Sequence, residues 1–180
     1  MKRFLVITAL ALVTTVSAFA QVSSLLRPRI EIAESSSEDN SRIEVFYMND
    51  ETPRMYYLSL GNLGVGTDIL QVSADPVYEL FIPLGNTLDE VIAKMEEIKS
   101  FYKLPRLETR EISGCFAIAC PNDNLLTVTI TSRKLLASKI LEFSLPTDAS
   151  GIVRATHIYK SNFGSLLTGV KIYKKIHPKQ

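Results

Sequence analysis

From Ile43 onward the chain alternates apolar and polar residues in short runs. Ile43, Val45 and Tyr47 share one side of an extended segment, Tyr56, Leu58 and Leu60 another, and Tyr78, Leu80 and Ile82 a third. Ile112, Phe116 and Ile118 line up across Gly114, and Leu126, Val128 and Ile130 alternate with Thr127, Thr129 and Thr131. Leu141, Phe143 and Leu145 follow, then the run Ile152 to Tyr159, and last Thr168, Val170 and Ile172. Successive strand side chains point to opposite faces, so each run predicts a strand with one face on a core and the other towards solvent. Turn-forming residues separate the runs at 50–53, 61–64, 75–76, 85–86, 121–124, 146–151 and 162–164.

One stretch follows a different period. Leu88, Val91, Ile92, Met95, Ile98 and Tyr102 recur at helical spacing, with Asp89, Glu90, Lys94, Glu96, Glu97 and Lys99 on the opposite side. Thr87 and Glu90 have capping-box spacing, in which hydroxyl and carboxylate answer the unpaired amides of a first turn. Glu90 and Lys94 form a favourable i,i+4 pair, and Pro105 stops the helix. The pattern predicts one amphipathic helix over about 87–102. About four strands, a helix and about five more strands make an α+β fold. Its sheet is mainly antiparallel, with about eight or nine short strands and the helix packed on it. An open sheet and a barrel-like curl around the helix both fit this order.

The first twenty residues read as a signal for export. Lys2 and Arg3 form a basic start, residues 4–16 are mostly apolar, and Ala18-Phe19-Ala20 supplies the small-residue cleavage pattern. Thirteen apolar residues are short of the roughly 20 that cross a bilayer, so a cleaved secretory signal is expected, with Gln21 the new N-terminus. No second run is long enough to span a membrane. The mature chain is therefore expected outside the cytoplasm, periplasmic or secreted. Residues 21–42 read as a flexible acidic and serine-rich leader, because 34–41 offer nothing apolar to bury. Residues 43–180 then form a single β-rich domain.

Composition narrows the chemistry without choosing one. The 180 residues carry 20 Lys+Arg and 19 Asp+Glu; losing Lys2 and Arg3 with the signal turns a net +1 into −1. Such a chain is neither disordered nor a disulfide-dense scaffold. No phosphate-binding glycine loop of either common kind occurs, and an exported domain is a poor partner for nucleic acid or nucleotide cofactors. No cofactor and no metal site are expected. Cys115 and Cys120 would lie about 16 Å apart in a straight strand, so a disulfide needs the chain to fold back between them; otherwise both are buried thiols. Ser100 and Lys103 match a Ser-x-x-Lys spacing, but the companion elements of that enzyme class are missing.

Two functional readings remain. The first is a non-catalytic binding or interaction module for an apolar or anionic small ligand or a partner protein. Residues 149–180 contain no acid and six bases, Arg154, Lys160, Lys171, Lys174, Lys175 and Lys179. The last two strands are therefore expected to show a basic face, with Arg154, Lys171, Lys174 and Lys175 meeting an anionic ligand or acidic partner. A ligand between helix and sheet, near Val91, Met95, Ile98 and Tyr102, is the other location. The second reading is a small secreted hydrolase or isomerase, with His157 and Tyr159 acting beside a carboxylate that only the fold brings close.

Overall fold

The structure, a computed structural model, describes residues 29–36, 42–49, 51–61, 64–65, 79–117, 125–135, 137–147 and 151–178. The expected signal segment, Tyr78, Ile118 and Cys120 lie outside the described residues. The strands are β1 (Arg29–Ser36), β2 (Arg42–Met48), β3 (Tyr56–Leu60), the two-residue β4 (Gly64–Val65) and β5 (Leu80–Gly85). Helix α1 (Leu88–Ser100) continues into a 3-10 turn, Phe101–Lys103. Then come β6 (Thr109–Ala117), β7 (Leu126–Leu135), β8 (Ser138–Ser144), β9 (Arg154–Tyr159) and helix α2 (Lys160–Ile176).

Among the described residues every strand pairing is antiparallel, in the order β1-β2-β3-β5-β6-β7-β8-β9-β4. The expected α+β architecture is present, and the sheet is strongly curled. Strands β1 and β9 are seven positions apart in that order, roughly 34 Å if the sheet were flat. Helix α2 nevertheless packs against β1 at one end and β8 and β9 at the other. An α-helix is only about 10–12 Å across, so the sheet must wrap around it. The approach to β1 is close: a Cβ at Gly169 would stand 2.9 Å from that of Ala33. At the N-terminal end of α2, Asn162 donates to the carbonyl of Ser36 at 2.6 Å.

Alternate residues of β2, β3, β5, β7 and β8 point inward as their period requires. Val45, Leu58, Ile82, Val128, Ile130, Leu141 and Phe143 join Val91, Met95 and Ile98 of α1 in one core. A smaller apolar group, Phe46, Met48, Tyr57 and Phe81, lies on the outer face with Phe116 stacked on Phe81 at 4.8 Å.

Three expectations need correction. Residues 160–176 are helix, not strand: Phe163, Leu166, Leu167 and Val170 are buried at spacings of three and four, and that stripe overrides the alternation of Thr168, Val170 and Ile172. The leader does not run to residue 42, because Arg29–Ser36 pairs with β2, with Ala33 opposite Val45. Finally, Ile112 and Phe116 do not share a face. Gly114 has φ +79, and three steps from Ile112 to Cys115 oppose two from Val128 to Leu126. This bulge turns Cys115 inward and Phe116 outward.

The start of α1 follows its sequence signature. Thr87 Oγ1 accepts from Glu90 N at 3.3 Å, and the Glu90 carboxylate accepts from the amide of Asn86 at 2.6 Å. Thr87→Ala is expected to lower stability by about 1 kcal/mol in a thermal unfolding measurement. An unchanged midpoint would show that the cap is dispensable.

Candidate interaction surface

The two ligand locations expected from sequence are both altered by α2. Between α1 and the sheet, Val91, Met95, Ile98 and Tyr102 are fully buried, and the side chains facing them include Phe163 of α2, whose ring centroid lies 6.0 Å from that of Tyr102. The Tyr102 hydroxyl donates to the Ile158 carbonyl at 3.0 Å, and burial pushes its pKa well up. Concave space available to a ligand in a one-helix fold is thus occupied by a second helix.

The basic C-terminal residues do not form one strand face. Arg154 opens β9 opposite Val65, while Lys171, Lys174 and Lys175 lie on α2. Two of these lysines answer acids of α1: Lys171 Nζ stands 2.5 Å from Glu96, and Lys174 is bonded to Asp89. Lys171 holds the Glu96 carboxyl below its ordinary range through that hydrogen bond. Lys175 is exposed one residue further on. Much of the basic charge read in this segment therefore clamps the helices together.

His157 and Tyr159 share the outer face of β9, their rings 5.4 Å apart. Opposite His157 on β8 is Glu142, with Thr131 of β7 beyond it. The fold thus does bring a carboxylate beside His157. Glu142 is already engaged: its side chain is 3% exposed and Arg133 Nη2 lies 2.8 Å away. Burial raises its pKa, opposed by the charge and hydrogen bond of Arg133 and by Ser144. The arrangement is a partly buried ion pair across β7 and β8. The Ser-x-x-Lys spacing is equally local, since Ser100 Oγ donates to Glu97 O at 2.6 Å and Lys103 is exposed. Cys115 is a free buried thiol, its pKa raised by burial to about 12. Among the described residues no group of three or more His, Cys, Asp and Glu is placed to hold a metal.

The strongest charge feature comes from pairings that the sequence does not display. Lys134 of β7 lies directly opposite Lys139 of β8, beside the hairpin that joins them. Like charges in that position destabilise a sheet. Lys139 Nζ donates to the Tyr102 carbonyl at 2.9 Å, which brings Lys103 to the same end of the molecule. Lys160, the first residue of α2, also belongs there, because it directly follows Tyr159, whose partner Ile140 is the neighbour of Lys139. Arg106 joins through the 104–108 segment, where Leu107 N donates to Ser132 O at 2.8 Å and Ser132 N to Glu108 O at 3.0 Å. Lys103, Arg106, Lys134, Lys139 and Lys160 are all exposed. The segments that supply them, 98–107, 132–141 and 159–169, contain no carboxylate. Of the nearby acids, Glu108 pairs with Arg110 at 2.6 Å, Glu142 with Arg133, and Glu96, whose charge also reaches Lys103, with Lys171. Acid-free windows were readable along the chain, but their meeting depends on strand register. Comparison with known protein families, curated proteins and solved structures finds no match to this chain.

Proposed function

We propose that the protein is an exported, non-catalytic binding module that docks an anionic partner at the end of the β7–β8 hairpin. The observation that carries this reading is the convergence of Lys103, Arg106, Lys134, Lys139 and Lys160 from three acid-free segments, with two of the lysines directly opposed in the sheet. Like charges gathered against the local energetics of the sheet create a positive potential that attracts and orients an anion. The basic start, apolar stretch and Ala-x-Ala of residues 1–20 support export. A second reading, a small secreted hydrolase or isomerase using His157 and Tyr159, draws on Glu142 lying opposite His157. Arg133 already holds that carboxylate, which favours the binding reading.

The test is binding to soluble polyphosphate at 50 and 300 mM salt. Affinity is expected to fall steeply with salt. The triple variant Lys103→Glu, Lys134→Glu, Lys160→Glu is expected to bind at least about tenfold more weakly, since opposite charge repels. Lys175→Glu should have a much smaller effect. Binding that ignores both salt and the triple substitution would sink the proposal.

A further inference from the structure

Resting on that reading, we infer that the anionic partner is a phospholipid surface and that Leu107 is the side chain that enters its headgroup layer. Leu107 is 57% exposed and has φ +67, the only positive φ at a non-glycine position among the described residues. It sits third in a turn closed by Glu108 N donating to Pro105 O at 3.2 Å, where a positive φ usually selects glycine or asparagine. A leucine there suffers the clash between Cβ and carbonyl that makes this region costly for L-residues. The strained conformation is pinned by the bonds between Leu107, Glu108 and Ser132. The fold therefore maintains a stiff, exposed apolar side chain next to Arg106 and within the basic end that includes Lys103 and Lys134.

Charge alone would explain docking to a soluble polyanion, but it gives Leu107 nothing to do. A bilayer of anionic lipid answers both halves of the arrangement, with phosphates for the bases and a partly apolar layer for the leucine. Of the other strongly exposed large apolar residues described, Leu125 precedes β7 at the end away from the β7–β8 hairpin, and Ile172 and Ile176 stand by lysines of which two are already paired with acids of α1. They lack this combination.

The test is flotation with vesicles of phosphatidylcholine containing about 30 mol% phosphatidylglycerol, against phosphatidylcholine alone. The chain from Gln21 is used, so that the apolar residues 4–16 contribute nothing; all of the described fold lies beyond residue 28. Binding is expected only with phosphatidylglycerol and should weaken with salt. Leu107→Gly and Leu107→Asn should each lower vesicle affinity by about tenfold, the order expected for losing one buried leucine side chain. They should leave polyphosphate affinity and the unfolding midpoint unreduced, because both residues accept a positive φ. The Lys103→Glu, Lys134→Glu, Lys160→Glu variant should lose both kinds of binding. Vesicle binding unaffected by the Leu107 substitutions would overturn the role of the leucine and the lipid inference with it. Polyphosphate binding without vesicle binding would also overturn the lipid inference, and leave a soluble polyanion or acidic protein as the partner. Failure to bind either probe would remove the proposed function itself.

Discussion

Replacing Phe163 by alanine is expected to cost about 3–5 kcal/mol of stability, close to the whole margin of a marginal domain. Phe163 is fully buried, packs against Tyr102, and belongs to the stripe by which α2 plugs the curled sheet. Its loss would open a cavity where both helices meet the strands, and the close approach of Gly169 to Ala33 leaves α2 little room to settle inward. Ile172→Ala provides the contrast, since Ile172 is 53% exposed on the same helix and should change stability by no more than about 0.5 kcal/mol. Urea unfolding of the two variants reads the difference directly. An exposed C-terminal strand would make them alike, so a Phe163→Ala loss below about 1 kcal/mol would contradict the role assigned to α2.

The same helix shows where sequence patterning was sufficient and where it was not. Helix α1 was legible because its signals agree: a threonine cap, acids in the first turn, an uninterrupted apolar stripe and a proline stop. Strands β2, β3, β7 and β8 were legible because alternate residues of each enter the main core, although in β2 and β3 the face expected towards solvent is buried too, with Phe46, Met48 and Tyr57 in the outer apolar group. Helix α2 contains Gly164, Gly169, Thr168, Val170 and Ile172, residues of poor helix propensity, and its N-cap Tyr159 makes no side-chain cap. Tertiary burial of Phe163, Leu166, Leu167 and Val170 holds it as a helix, and such burial has no local signature beyond the spacing itself. In β6, an extra residue at Gly114 reversed the face of Phe116, a change that period-two reasoning cannot anticipate without the partner strand.

The candidate surface was less legible than the fold. Net basicity of residues 149–180 was plain, but its use was not, because the acids that answer Lys171 and Lys174 come from α1, more than seventy residues earlier. The basic end at the β7–β8 hairpin inverts this lesson. None of its three segments is unusual alone, and only the register that sets Lys134 against Lys139, with the bond from Lys139 to Tyr102, concentrates the charge. Charge excess along a chain and charge left over after folding are different quantities, and only the second meets a partner.

Breaking the Arg133–Glu142 pair from one side is expected to be costly, and removing both partners is not. The Glu142 side chain is 3% exposed and Arg133 27%, and Arg133 Nε is buried without a hydrogen-bond partner. Glu142→Ala would leave that guanidinium with neither counter-charge nor full hydration, at a cost of about 2–4 kcal/mol, somewhat below the range for a fully buried pair because Arg133 reaches water. The double variant Arg133→Met, Glu142→Leu should recover most of the loss or exceed the wild type, since it removes two desolvated charges and leaves apolar bulk beside the buried Ile140. The pH dependence follows from the direction of the Glu142 shift. Burial raises its carboxyl above the ordinary 4.5 despite Arg133, so the folded state binds the proton more tightly than the unfolded state. As pH rises from the unfolded value to the higher folded value, the folded state therefore holds more protons than the unfolded one, and stability falls across that window. Glu142→Gln cannot ionise and should lack this fall, so its stability relative to wild type should rise through the window and then level off. Urea unfolding of wild type, Glu142→Gln, Glu142→Ala and the double variant from pH 4 to 7 measures all of these terms. Parallel pH curves for wild type and Glu142→Gln would show that this carboxylate is not strained by its burial. A double variant as unstable as Glu142→Ala would show that the pair is required by the β7–β8–β9 surface rather than merely accommodated in it.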